Sequence, residues 1–175
     1  MGITLLVGGA RSGKSSLAVR LASAFDGPVV VLVTAEPRDD EMAERIRAHR
    51  AARPAAWETV EAPLELLPAV RDVGEPSCVI LDCLTLWVSN ALEAGWSEDE
   101  IDREARALAS DLADRAGPAV VVSNEVGLGI VPANELARTY RDVLGRVNGS
   151  FAAAASRSFL VVAGRGLPLA EVTLG

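Results

Sequence analysis

The sequence predicts a three-layer α/β sandwich, a mostly parallel sheet with helices on both faces. Three observations lead there. Residues 3–7, 29–34, 78–81, 119–123 and 159–162 are apolar at nearly every position, as strands buried on both faces must be. Amphipathic or apolar helical stretches alternate with them, which implies crossover connections and parallel pairing. The chain has 175 residues, 50% hydrophobic but only 4% aromatic, so it reads as a single domain, 1–175, with a core of Val, Leu, Ile and Ala.

The elements follow in order. Residues 3–7 form a strand that ends in glycines, and residues 14–24 a helix with Leu17 and Leu21 on one face. The run VVVLVT at 29–34 is a β-branched strand, followed by a helix over 39–51 that Arg53-Pro54 ends, because the residue before proline is pushed out of the helical region. A short strand over 57–61 and a helix over 63–72 precede a turn at Gly74, Pro76 and Ser77. The strand at 78–81 leads into an apolar helix over 84–92. Ser97, with Glu100 three residues on, caps a helix to residue 115 whose stripe is Ile101, Ala105, Leu108 and Leu112. After the strand at 119–123, the loop NEVGLGIVP opens a long helix with Leu136, Tyr140, Val143, Leu144 and Val147 on one face, ending in the tract Ala152–Ala155. The strand at 159–162 closes the set.

Composition excludes several classes of function. A net charge of −7 argues against a polyphosphate track, so nucleic acid is not an expected partner, although one nucleotide in a local basic pocket is compatible. No apolar run approaches the roughly 20 residues of a membrane span. The start, MGITLLVGGARSGKS, lacks a signal peptide's charged region and cleavage site, so the expected location is cytoplasmic. Cys78 and Cys83 lack metal-ligand spacing and read as reduced core thiols.

Gly8-Gly9-Ala10-Arg11-Ser12-Gly13-Lys14-Ser15 fits G-x-x-x-x-G-K-[ST], placed between a predicted strand and a predicted helix. Glycines let successive backbone N–H groups turn toward phosphate oxygens, and the helix start adds its positive end. Lys14 would reach the β- and γ-phosphates and the Ser15 hydroxyl would ligate Mg²⁺. Of 17 basic residues Lys14 is the only lysine, the mark of a site that needs a compact ammonium rather than a guanidinium fork. Val79-Ile80-Leu81-Asp82 reads as the companion Walker B strand, with Asp82 holding Mg²⁺ directly or through water, or else as a plain strand end. The fold class thereby narrows to a P-loop NTPase sandwich of the RecA-like kind. No N-K-x-D motif supports a switch GTPase, and small size argues against a motor, which leaves a small-molecule kinase as the default.

Four blocks sharpen that default: GGARSGKS, DDEMAERIRAHRAARPAAWETVE, LDCLTLWVSN and SNEVGLGIVPANELARTYRDVLGRVN. Together, in this order, they resemble the bifunctional adenosylcobinamide kinase / adenosylcobinamide-phosphate guanylyltransferase family of cobalamin biosynthesis, over about residues 3 to 165. The resemblance implies phosphorylation of the aminopropanol hydroxyl of adenosylcobinamide with GTP or ATP, then transfer of GMP from GTP onto the new phosphate, with Mg²⁺ as cofactor and an oligomeric enzyme. It implies a GMP-histidine intermediate at His49. It also implies that Thr34, Ala35 and Glu36 line the nucleotide site and that Arg50, Ala51, Ala52, Arg53 and Glu61 contact GTP, Glu61 by recognising guanine.

The residues are compatible with these roles. A neutral imidazole is nucleophilic near pH 7, and Arg45, Arg50 and Arg53 are near enough in sequence to stabilise phosphate charge. By spacing alone His49 equally continues a Met42, Ile46 stripe as a packed or surface residue, and Glu61 equally reads as a solvated strand-end acid. Asn124 and Glu125 follow an apolar strand at the edge where open α/β folds place ligands, either to position the substrate hydroxyl, Glu125 as its base, or as part of a structural turn. Arg138, Arg141, Arg146 and Asn148 follow on a helix, facing substrate, a second subunit or solvent. A kinase without guanylyl transfer and a non-catalytic nucleotide-binding protein are the competing readings.

Overall fold

A computed structural model describes residues 2–171. The elements are β1 Ile3–Val7, α1 Lys14–Ala22, β2 Val29–Val33, α2 Asp40–Ala51, β3 Glu58–Glu61, α3 Leu66–Asp72 and β4 Cys78–Asp82. They continue with α4 Leu84–Glu93, α5 Glu98–Asp114, β5 Ala119–Val122, α6 Glu135–Ala154, β6 Arg157–Val162 and β7 Arg165–Leu169. The strands form a seven-stranded sheet in the order β3-β2-β4-β5-β1-β6-β7, parallel except for the antiparallel β6–β7 pair.

The apolar runs behave as the period of two requires. Ile3, Leu5, Val30, Leu32, Val79, Leu81 and Val121 pack on one face, against Leu66 and Val70 of α3, Trp87 of α4, Leu108 of α5 and Val147 of α6. Leu6, Val29, Val31, Ile80, Val120 and Val122 pack on the other, chiefly against Ala18 and Ala22 of α1. The layers are unequal. Four helices cover the first face, whereas α2 buries no residue at all. The Met42, Ile46, His49 stripe therefore belongs to no core.

Local chemistry sets the element ends. Ser97 accepts from the Glu100 N–H while the Glu100 carboxylate takes the Ser97 N–H at 2.7 Å, the reciprocal cap expected from the sequence. Asp39 and Asn134 cap α2 and α6, each accepting a backbone N–H at 2.7 Å. Helix α1 stops at Ala22, short of residue 24, because Ala24 and Phe25 donate to Leu21 and Ala22 in a tightened last turn. Helix α3 starts at Leu66 rather than residue 63, since side chains of α4 claim the carbonyls before it: Asn90 donates to Pro63 O at 3.0 Å and the Trp87 indole to Leu64 O at 2.9 Å. Leu136, expected on the apolar face of α6, is exposed.

Strand β7 was not expected, because Arg165-Gly166-Leu167-Pro168-Leu169 carries both Gly and Pro. It pairs only on its β6 side, so Pro168 needs no ladder hydrogen bond on the outer one. Ala163 and Gly164, both with positive φ, make the two-residue turn between them.

One buried charge stabilises the end of the sheet away from the phosphate loop. The Arg115 guanidinium donates to Val70 O, Val73 O and Gly74 O at 3.2, 3.1 and 3.4 Å, satisfying carbonyls that α3 leaves open at its C-terminus. Replacing Arg115 with Leu strands these acceptors. Urea unfolding of Arg115→Leu is expected to show a loss of about 2–3 kcal/mol with an unchanged m-value.

Candidate active site

The carboxyl edge of the parallel strands collects nearly every residue singled out from the sequence. Strand β5 lies between β1, which feeds the phosphate loop, and β4, which ends in Asp82. Residues after β1, β4 and β5 thus share one edge.

The phosphate loop is folded around its own lysine. Lys14, buried, donates to Gly8 O at 3.0 Å, Gly9 O at 2.7 Å and Ser12 Oγ at 3.3 Å. Burial strips water from the ammonium and lowers its pKa, while the Asp82 charge works the other way. Two glycines are required by the geometry. A Cβ on Gly8 would stand 2.3 Å from Val161 O, and Gly13, at φ 98°, would place one 2.9 Å from Gly164 Cα. The turn of the β6–β7 hairpin therefore packs directly on the loop, and Gly164 N donates to Ser12 O at 2.7 Å. The sequence carried no sign of this buttress. Gly13 begins α1 without a side-chain cap, so the first-turn N–H groups stay available to an anion.

Asp82 is where the site converges. Its Oδ1 accepts from Ser15 Oγ at 3.4 Å, its Oδ2 accepts from Arg53 Nη2 at 2.7 Å, and His49 Nδ1 lies 3.6 Å from the same Oδ2. The carboxylate is 12% exposed and the Arg53 side chain 8%, whereas His49 is about half exposed. Burial by itself would raise the Asp82 pKa. The neighbouring His49 and Arg53 outweigh that and hold the carboxyl below its usual range.

Beside this carboxylate a cleft of about 240 Å³ is lined by Ser15, Ser16, Val19, Ala48, His49, Ala52 and Arg53. Ser15, His49, Ala52 and Arg53 were singled out from the sequence. Ser16, Val19 and Ala48 were not; for Val19 and Ala48 the signal was there, since Ser15 and Val19, and Ala48 and Ala52, are each four residues apart, and α1 and the C-terminal end of α2 meet at this cleft. Arg50 and Ala51, on the last turn of α2, do not line it. Arg45 is paired with Glu41 at 3.4 Å.

The other candidates occupy the same edge with different degrees of freedom. Thr34 is fully buried, its hydroxyl donating to Cys83 O at 2.7 Å and accepting from Cys83 N at 3.0 Å, so its side chain clasps β2 to β4 and does not face the cleft. Asn90 holds Thr34 O at 2.9 Å, and Glu36 beyond it pairs with Arg38 at 2.7 Å. Ala35 lies between, half-buried. Glu61 ends β3, exposed and paired in register with Val33. It is two strands from Asp82, roughly 10 Å at ordinary strand spacing.

Asn124 and Glu125 are held through their backbones. Asn124 N donates to Thr85 Oγ1 at 2.8 Å, Asn148 Nδ2 donates to Asn124 O at 3.0 Å, and Glu125 N donates to Gly8 O at 3.1 Å. The Glu125 carboxylate accepts from Gly127 N at 2.5 Å. The basic residues of α6 are taken by the fold: Arg138 returns to Pro132 O and Ala133 O, Arg141 pairs with Asp142, and Arg146 bridges to Glu98 and Asp102 of α5.

The chain is similar to known proteins over nearly all its length. The sequence profile of the family described as CobU: Cobinamide kinase / cobinamide phosphate guanyltransferase matches residues 4–169. A bifunctional adenosylcobalamin biosynthesis protein CobP from Pseudomonas aeruginosa is 44% identical over 166 residues, covering 94% of this chain and 95% of that protein. A bifunctional adenosylcobalamin biosynthesis protein CobU from Salmonella typhimurium is 40% identical, covering 94% and 98%. Among solved structures, a prototypical ATPase of the type III secretion system of pathogenic bacteria superposes with a TM-score of 0.59 at 12% identity, over 91% of this chain and 50% of that one. The ATPase EscN of the enteropathogenic E. coli system does so with a TM-score of 0.59 at 11% identity, over 93% and 43%. At that identity the likeness concerns the fold alone, which is that of P-loop ATPases. With a phosphate loop, a facing carboxylate and a histidine gathered at one sheet edge, and with the family profile matched over nearly all its length, the chain belongs to the cobinamide kinase / cobinamide phosphate guanyltransferase family.

Proposed function

We propose that one site, at the carboxyl edge of β1, β4 and β5, carries both reactions of this family. The chain is an enzyme of cobalamin biosynthesis, a kinase and guanylyltransferase. It phosphorylates the aminopropanol hydroxyl of adenosylcobinamide with GTP or ATP, then transfers GMP from GTP to that phosphate, releasing pyrophosphate and adenosylcobinamide-GDP. The observation that carries the shared site is the meeting of Ser15 of the phosphate loop and His49 of α2 on one carboxylate, Asp82.

For the kinase step, the loop from Gly8 through Ser15 binds the triphosphate through backbone N–H groups and the start of α1. Lys14 exchanges its loop carbonyls for β- and γ-phosphate oxygens, stabilising charge as the terminal P–O bond breaks. The Ser15 hydroxyl and Asp82 carboxylate are hard oxygen donors 3.4 Å apart, suited to hold Mg²⁺, which when bound would neutralise phosphate charge. Among the described residues no group of three or more His, Cys, Asp or Glu side chains is placed to hold a metal ion. Glu125 takes the proton of the substrate hydroxyl, with Asn124 positioning it.

For the guanylyl step, His49 presents Nδ1 to Asp82, which leaves Nε2 to attack the α-phosphorus of GTP. An N–P bond forms, the bond to the β-phosphate oxygen breaks, and pyrophosphate leaves. The phosphate of adenosylcobinamide phosphate then attacks the same phosphorus and the N–P bond breaks, returning a free imidazole. Arg50 and Arg53 stabilise the anionic phosphates. Glu61 accepts two N–H bonds from guanine, the device that separates G from A. Ala35, Glu36 and the backbone of Thr34 bound the nucleotide, and Ala51 and Ala52 leave room beside it. The expected enzyme is a homo-oligomer of this single catalytic domain. No helix of the described residues is long and apolar enough to cross a membrane.

Two outcomes test the assignment. Incubation with GTP labelled at the α-phosphate, followed by denaturation, is expected to leave acid-labile, base-stable label on the parent protein and none on His49→Ala. Parent protein that turns over but retains no label means a kinase without the covalent route. Lys14→Arg, which keeps the charge but not the compact ammonium, is expected to lower the kinase kcat by about 100-fold or more in a steady-state assay.

A further inference from the structure

Resting on the reading of Asp82 as the metal-binding carboxylate, we propose that Arg53 is a tethered cation that occupies Asp82 in place of the divalent metal and competes with it. Three observations lead to this. Arg53 is not a solvated basic residue: its side chain is 8% exposed and its Nη2 donates to Asp82 Oδ2 at 2.7 Å. Asp82 needs a cation at all times. It is 12% exposed, and without Arg53 its direct contacts would be a neutral hydroxyl at 3.4 Å and a half-exposed imidazole at 3.6 Å, with the Lys14 ammonium acting on it only through space. A buried carboxylate that loses its hydrogen-bonded cation is left undercompensated and strains the fold. Finally, both oxygens are engaged, Oδ1 toward Ser15 and Oδ2 toward Arg53.

A divalent ion held between Ser15 and Asp82 would stand beside a guanidinium on the same carboxylate. Two cations at that spacing repel in a site screened from water. Entry of the metal-bound nucleotide therefore displaces Arg53, whose fork then finds phosphate oxygens in place of a carboxylate. Arg53 follows the C-cap Ala52 and lies one turn beyond His49, so the group that leaves Asp82 is joined to the histidine facing the same oxygen. Arg53 is thus a positioning residue. It keeps α2 against the site while no metal is bound and lowers the apparent affinity for the metal by the fraction of chains in which it remains on Asp82.

The test is a metal titration, independent of turnover. Mn²⁺ binding is followed by electron paramagnetic resonance of the free ion, with full-length protein saturated by the β,γ-imido analogue of GTP. Parent, Arg53→Gln, Arg53→Lys and Asp82→Asn proteins are compared. Arg53→Gln is expected to bind Mn²⁺ about 5- to 20-fold more tightly than the parent, the range expected if Arg53 holds Asp82 in most of the chains. Arg53→Lys, a cation without the fork, should fall between them. Asp82→Asn should lose the tight site. If Arg53→Gln binds Mn²⁺ equally or more weakly while Asp82→Asn still loses it, the competition is overturned and Arg53 serves only as a structural or phosphate contact. If Asp82→Asn binds Mn²⁺ like the parent, the metal role of Asp82 itself fails, a separate result from the first. Should Arg53→Gln not fold, Arg53→Lys decides alone, and affinity equal to the parent's overturns the proposal.

Discussion

The structure of the active edge depends on one constraint, the need to compensate a nearly buried carboxylate at the end of β4. Asp82 cannot stand alone at 12% exposure, and the groups that answer it come from separate parts of the chain: Ser15 from the start of α1, His49 from the last turn of α2 and Arg53 from just beyond it. Desolvation pushes the Asp82 carboxyl toward protonation, and its partners hold it ionised. Its charge in turn orients them. A helix that buries nothing of its own is thereby anchored at its C-terminal end, where His49 and Arg53 meet Asp82.

Sheet topology makes that meeting possible. Inserting β5 between β1 and β4 separates the phosphate loop from Asp82 by one strand, about 10 Å between their backbones, a gap that the Ser15 and Asp82 side chains span by meeting at 3.4 Å. The inserted strand also delivers Asn124 and Glu125 to the same edge, tied to the loop through the bond from Glu125 N to Gly8 O. On the far side, the β6–β7 turn closes against Gly13 and Ser12. The loop is thus held from both flanks, and Lys14 folds back onto its carbonyls.

The unequal layers divide labour between stability and chemistry. One face of the sheet carries α3, α4, α5 and α6 and most of the large buried side chains, with Trp87 bonded to Leu64 O and stacked edge-on to Trp96 at 6.3 Å. The other is closed mainly by the small face of α1, Ala18 and Ala22. The polar clasp of Thr34, Cys83 and Asn90 joins β2, β4 and α4 just behind the site, so that residues expected to meet nucleotide are partly consumed in holding the edge together. Two short cationic runs that looked available for ligands, on α2 and α6, are largely neutralised by neighbouring carboxylates.

By itself the sequence determined the elements whose causes are local. Apolar strands, the Ser97–Glu100 cap, the glycine loop with its lysine, and the proline stop after Arg53 each follow from side chains within a few residues of one another, so they could be read directly. Family membership was legible for the same reason, in blocks of contiguous residues. What only the tertiary structure decided is how distant residues share a group. That Arg53 sits on Asp82, that Thr34 turns inward, that Arg146 serves α5, and that an edge strand with Gly and Pro buttresses the phosphate loop are matters of strand order and burial. The partners of Asp82 alone lie 29 to 67 positions from it and are brought together by the sheet, and an ion pair's strength depends on the water it excludes, which no spacing in a sequence records.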